Sequence, residues 1–154
     1  MKILITGGGG FLGSEIVRQL ITENHEIAIL ARNNYPKIKA LGVKCIQADV
    51  QNPQSLEGHF NGIDVVIHTA AKAGVWGSKD SYFGINLNGT KNVLAAAQTA
   101  GVQAFVHCSS PSAVWSGQDE SGLSEKQCPY PKQYLAHYPE TVSYTHLTLP
   151  TNAC

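Results

Sequence analysis

Residues Lys2 to Leu20, KILITGGGGFLGSEIVRQL, constrain this chain more than any other stretch. Ile3, Leu4 and Ile5 form an unbroken apolar run of the kind found in a strand buried on both faces. Four consecutive glycines follow, and then apolar residues recur at Phe11, Leu12, Ile16, Val17 and Leu20, at helical spacing. Gly7, Gly10 and Gly13 therefore stand as a GxxGxxG triplet at a strand-to-helix junction. Residues without a Cβ let such a turn close tightly and let a ligand reach the backbone. The helix that follows begins with unpaired N–H groups and a partial positive charge, an arrangement suited to a phosphate. Taken alone the triplet is a weak signal; its place between a first strand and an amphipathic helix makes it a strong one.

The same alternation continues along the chain. Glu26–Leu30 reads as a second strand, and Tyr35-Pro36 opens a brief helix that Gly42 closes. Val43–Ala48 reads as a third strand, and Asn52-Pro53 starts another helix because proline suits a first helical turn. Asp64–His68 is a fourth strand, and a glycine- and aromatic-containing loop, Ala73–Phe83, leads into a helix over Asn86–Ala100. Ala104–Cys108 is a fifth strand. Strands this uniformly apolar, separated by helices, predict a doubly wound parallel sheet of about five strands with helices on both faces. Ligands of such sheets lie beyond the carboxyl ends of the strands. Those ends are Gly7 onward, Ala31-Arg32, Asp49-Val50, Thr69-Ala70-Ala71 and Ser109-Ser110, all expected on one rim.

Composition narrows the function classes. The 154 residues suit one domain, and 43% apolar against 14% charged residues favours buried strands over disorder. Eleven basic and eleven acidic residues create no field for nucleic acid or an anionic membrane surface. No leader and no apolar run of membrane-spanning length is apparent. Cys45, Cys108, Cys128 and Cys154 show neither CxxC pairing nor a dense framework; Cys45 and Cys108 read as buried strand thiols, and a reducing cytoplasm is expected. The six histidines show no ligand spacing, so no metal site is expected. The stretch from Gly117 to Lys132 reads as a polar loop near the substrate, and a last helix is expected from about Tyr134. Val142–Cys154 has no charged residue and is rich in threonine, and is expected not to continue that helix.

TGGGGFLG, DVVIHTAA, INLNGT, FVHCSSPSAV and YLAHYPET together resemble the extended short-chain dehydrogenase/reductase family, most closely its 3β-hydroxysteroid dehydrogenase and 2-alkyl-3-oxoalkanoate reductase branch. The resemblance covers residues 1–141 and implies a Rossmann-like dinucleotide domain, incomplete relative to the longer family members. It implies that Gly7, Gly10 and Gly13, with the backbone of Phe11 and Leu12, hold a pyrophosphate. Asp49 and Val50 would flank the adenine, and Thr69, Ala70 and Ala71, with Asn86 behind them, would line the ribose and nicotinamide side. An acidic residue about twenty positions after the glycines would mark NAD. Ala31 takes that place and Arg32 follows, so NADP is favoured, with NAD the alternative.

For the chemistry the resemblance implies a serine after the fifth strand, here Ser110 rather than Ser109 or Ser112, and the tyrosine of a YxxxK motif, here Tyr138. The implied activity is hydride transfer at a 3-hydroxy or 3-keto group of a small-molecule substrate, steroid-like or 2-alkyl-3-oxoalkanoate. Sugar-nucleotide epimerisation or dehydration, and a non-catalytic NADP sensor, are the alternatives. A homodimer is possible for the full-length protein. The motif's lysine is missing: position 142 is valine. A phenol with no cationic neighbour titrates at about pH 10 and is a poor base at neutrality. Residues 142–154 resemble a translated adaptor read-through and are expected to be a non-native, disordered tail on an inactive cofactor-binding fragment.

Overall fold

The computed structural model describes residues 1–115, 117–118, 121–124 and 126–149. Five strands form one parallel sheet: β1 Lys2–Thr6, β2 Glu26–Ala31, β3 Lys44–Gln47, β4 Val65–His68 and β5 Ala104–His107. Their order is β3-β2-β1-β4-β5, so the chain runs outward to one side and then crosses to the other after β3. The helices are α1 Phe11–Ile21, α2 Pro36–Lys39, α3 Lys79–Tyr82, α4 Gly89–Thr99 and α5 His137–Thr148.

The two-residue period of β1 explains the layering. Ile3 and Ile5 enter one core with Val17 of α1, Ile27, Ile29, Ile38 and Val43. Leu4 enters the other with Leu30, Val66 and Val93 and Ala97 of α4, joined by Leu56 and Phe60. Both faces of β1 are covered, and burial of each such aliphatic side chain contributes roughly 1.5–3 kcal/mol. The expected doubly wound parallel sheet is what forms.

Local departures have local causes. The helix expected from Asn52 is a single 3₁₀ turn, Pro53–Leu56, capped where the Asn52 side chain accepts from Gln54 N at 3.1 Å. The helix expected over Asn86–Ala100 starts as a π-helical segment, Phe83–Asn88, before becoming α4. Phe11 and Leu12 belong to α1 but not to its core face: Phe11 is 99% exposed, because the first turn of α1 stands at the sheet's rim. Cys45 is half-buried rather than buried, and Cys108 lies just past β5 and is exposed. β5 is the sheet's edge, and Val106 on it is 52% exposed.

The expectation for the tail needs correction over residues 142–148. They continue α5 instead of forming a disordered extension, and Val142, Ser143 and Thr145 are buried. Threonine hydroxyls here return bonds to the preceding turn, Thr145 Oγ1 to Thr141 O at 2.7 Å and Thr148 Oγ1 to Tyr144 O at 2.7 Å. Packing of α5 against the π-helical segment and the 3₁₀ turn Pro111–Ala113 outweighs a composition that favours no helix. Residues 150–154 lie outside the described residues. No helix among the described residues is long and apolar enough to cross a membrane.

Two glycines close the first turn. Gly7 has φ +71°, and a Cβ there would stand 2.8 Å from Ala70 N of the neighbouring strand's exit. A Cβ on Gly13 would collide with Gly7 O, a backbone atom that cannot yield cheaply. Gly13→Ala is expected to destabilise the fold by about 1–3 kcal/mol, the usual range for overpacking, read as a lower urea midpoint with an unchanged slope.

Candidate functional site

The strand tips converge on one cleft. It is lined by Gly7, Gly10, Leu30, Ala31, Arg32, Asn33, Tyr35, Ala48, Asp49, Val50, Thr69, Ala70, Ala71 and Ile85. It lies where the strand order reverses, between the exits of β1 and β4, with the exits of β2 and β3 forming its other wall. At its floor, Gly7 N donates to Leu30 O at 3.0 Å and Gly10 N donates to Gly7 O at 2.9 Å. The N-cap of α1 is Gly10, which has no side chain to cap the helix, and the first turn carries no acidic residue. The opening amides of α1, those of Phe11, Leu12 and Gly13, therefore have no carbonyl of their own helix to pair with. That is the cradle an anion requires.

Of the expected residues, the cleft gathers Gly7, Gly10, Arg32, Asp49, Val50, Thr69, Ala70 and Ala71. Gly13 sits inside the turn as a packing residue. Asp49 also works locally: its Oδ1 accepts from Gln51 N at 3.0 Å, so a strand-end cap and a place on the cleft coexist in one carboxylate. Tyr35, Asn33 and Ile85 line the cleft as well, beyond the residues expected there; their signal in the sequence is only their nearness to a strand exit or to Asn86.

Asn86 is buried behind the β4 exit. Its Oδ1 accepts from Lys72 N at 2.7 Å, and its Nδ2 donates to Lys72 O at 3.0 Å and Thr141 Oγ1 at 3.0 Å. Thr141 Oγ1 in turn donates to Tyr138 O at 2.9 Å. Asn86 thus ties the segment after Ala71 to the helix that carries Tyr138. Ser110 caps the 3₁₀ turn after β5; its Oγ lies 2.9 Å from Ser112 Oγ and accepts from Ser112 N at 3.3 Å. Since α5 packs on that turn, Ser110 and Tyr138 lie on adjoining elements at the same rim. Position 142, where the lysine of the motif belongs, presents a buried valine.

A second polar chain has no counterpart among the residues expected from sequence. His68, the last residue of β4, is 1% exposed; its Nδ1 lies 2.6 Å from Thr6 Oγ1 and its Nε2 lies 2.8 Å from Thr90 Oγ1. Thr90 Oγ1 donates its own proton to Asn86 O at 2.6 Å. It must therefore accept from His68, which assigns the proton to Nε2 and leaves Nδ1 to accept from Thr6. Burial, and secondarily the neighbouring His107, lower the His68 pKa to about 3. Burial, and secondarily His146, also lower that of His107, whose ring stacks on His68 at 5.6 Å. A histidine at a strand end carries no spacing that would signal this role.

An open parallel sheet with its cleft at the topological switch point, floored by a glycine turn and an uncapped helix, is a Rossmann-type α/β domain. A sequence model of the 3-beta hydroxysteroid dehydrogenase/isomerase family matches residues 4–148, and the chain belongs to that family. It is 42% identical over 134 residues to a 2-alkyl-3-oxoalkanoate reductase of Shewanella oneidensis, covering 87% of this chain and 34% of that protein. A 2-alkyl-3-oxoalkanoate reductase of Stenotrophomonas maltophilia is 40% identical over 142 residues, 92% of this chain and 43% of its own. The UDP-glucose 4-epimerase of Thermus thermophilus, solved in complex with NAD, superposes with a TM-score of 0.79 at 30% identity, over 96% of this chain and 49% of that one. The chain thus spans between a third and a half of these relatives' lengths.

A folded-state pKa held below the unfolded value makes His68 a source of acid lability. Its neutral form stabilises the fold fully above pH 6.5 and loses that advantage as pH falls toward 3, by about 1.4 kcal/mol per pH unit. His68→Gln is expected to flatten this acid limb in urea titrations from about pH 7.5 to 4, while lowering stability at the upper end by about 1–3 kcal/mol through the threonine partners left unpaired.

Proposed function

We propose that this chain is the cofactor-binding portion of an NADP(H)-dependent oxidoreductase of the extended short-chain dehydrogenase type. The observation that carries this reading is the meeting, in one cleft, of Gly7 and Gly10 with Arg32, Asp49 and Thr69–Ala71. The residues suit a dinucleotide: a Cβ at Gly7 would collide with the β4 exit, and the first amides of α1 lack a side-chain cap. Gly7, Gly10 and Gly13, with the amides of Phe11 and Leu12, would hold the pyrophosphate. Asp49 would accept from the adenine amino group beside Val50, and Thr69, Ala70 and Ala71 would line the nicotinamide side, with Asn86 behind them. Arg32 would pair with a 2′-phosphate, and Ala31 offers no carboxylate to repel it.

When bound, the nicotinamide supplies or accepts the hydride. The chain's own groups handle the substrate oxygen. Ser110 hydrogen-bonds it, and Tyr138 donates or removes its proton. The substrate class that fits the relatives is a 3-keto or 3-hydroxy compound, 2-alkyl-3-oxoalkanoate or steroid-like. Retention of both Ser110 and Tyr138 favours an enzyme lineage over a non-catalytic sensor, since a sensor has no use for the pair. Tyr138 has no lysine at position 142 to promote its ionisation. Residues from Val142 onward are foreign to the lineage in this reading, although 142–148 are helical.

Calorimetric titration tests the binding half: NADPH is expected to bind more tightly than NADH. Arg32→Ala is expected to weaken NADPH by about tenfold or more, the usual value of a charge-assisted hydrogen bond, without affecting NADH. Absence of binding by either dinucleotide at millimolar concentration refutes the reading. For the chemistry, no steady-state reduction of a 2-alkyl-3-oxoalkanoate is expected from this chain, and Val142→Lys alone is not expected to restore it. Robust turnover by the chain as it stands shows the inactivity to be wrong.

A further inference from the structure

Between Arg32 and α2 stands Tyr35, and its placement is unusual for a surface loop residue. Its backbone is fixed: Tyr35 O accepts from Ile38 N and Lys39 N, both at 3.0 Å, and Pro36 follows at the first helical position. Its ring lies on the glycine turn. A Cβ built on Gly9 would overlap Cδ1, Cδ2 and Cε1 of Tyr35 equally, and a point equally close to three ring carbons lies over the ring's face. The ring also packs against the α1-side core, so it is seated by apolar contact rather than free to swing. It nevertheless borders the cleft, next to Arg32 and Asn33. Buried or half-buried tyrosines ordinarily pair their hydroxyl. Among the described residues none hydrogen-bonds the Tyr35 hydroxyl. A phenol seated by the glycine turn, its hydroxyl bonded to none of the described residues, therefore lines the same cleft as Arg32.

We propose that Tyr35 is a specificity-determining residue for the ribose end of the dinucleotide, its hydroxyl donating to a 2′-phosphate that Arg32 neutralises. This deepens the NADP(H) reading of the same cleft and rests on it. The division of labour follows from the two side chains. Arg32 contributes charge but hangs on a long stem, whereas Tyr35 contributes one neutral donor from a ring whose position the Gly9 contact determines. Gly9 is then part of the device: any side chain there would push the ring off the turn.

The test uses the whole chain and three probes: adenosine 2′,5′-bisphosphate, 5′-ADP and NADPH. Tyr35→Phe keeps the ring and removes only the donor. It is expected to weaken the 2′,5′-bisphosphate and NADPH by about tenfold, the value of a hydrogen bond to a charged group, and to leave 5′-ADP within about twofold. Gly9→Ala, with its fold checked by circular dichroism, is expected to reduce the same preference by displacing the ring. Equal weakening of all three probes in Tyr35→Phe, or no change in any, overturns the role assigned to the hydroxyl. Failure of the unaltered chain to bind 5′-ADP and NADPH alike refutes the dinucleotide cleft itself, and the proposal falls with it. Binding of 5′-ADP without any preference for the 2′-phosphate removes the proposal and leaves the cleft standing.

Discussion

The arrangement of this molecule depends on a buried line of polar groups that crosses the sheet at its carboxyl rim. Ala70 N lies 3.4 Å from Thr6 Oγ1, the Thr6 hydroxyl serves His68 Nδ1, His68 Nε2 serves Thr90, and Thr90 serves the carbonyl of Asn86. From Asn86 the side chain continues to Lys72 and Thr141. Each member is buried or half-buried, so a missing partner would cost the desolvation of a polar group with nothing in return. A fully paired line of this kind sets relative position as well as stability. It holds the exits of β1 and β4, the π-helical segment and the start of α5 in one register. Thr69–Ala71 and Tyr138 belong to those elements.

The first turn works by the opposite device, the removal of side chains. With Gly7 at positive φ against Ala70 and Gly13 against Gly7 O, β1, α1 and the β4 exit approach as closely as backbones can. The amides at the start of α1 are left without caps, and the polar line places the β4 exit opposite them. The uncapped start of α1 and the Thr69–Ala71 wall of the cleft thus result from two unrelated sets of contacts that share Ala70.

Much of this is legible in the chain itself. The alternation of apolar runs with helical periods specifies a parallel sheet, and a parallel sheet puts every strand exit on one side. Arg32, Asp49 and Thr69–Ala71 can therefore be assigned to one rim from the sequence. His68 cannot, because a buried neutral histidine has no spacing signature; its role exists only once Thr6 and Thr90, 62 and 22 residues away, are brought to it. Tyr35 is hidden for a similar reason, since what seats its ring is Gly9. For residues 142–148 composition misleads because it cannot stand in for packing: threonines that weaken an isolated helix here satisfy carbonyls inside a buried one.

The sequence alone determined the fold class and the location of the cleft, because both follow from short-range periodicity and from glycines at a strand-to-helix junction. Family membership follows from its motifs in order. Tertiary structure decided which polar residues act together, that α5 extends through Thr148, and which side chain lies over the glycine turn. Those outcomes depend on pairings between residues tens of positions apart, and burial raises the value of such a pairing only after the sheet has brought the partners together.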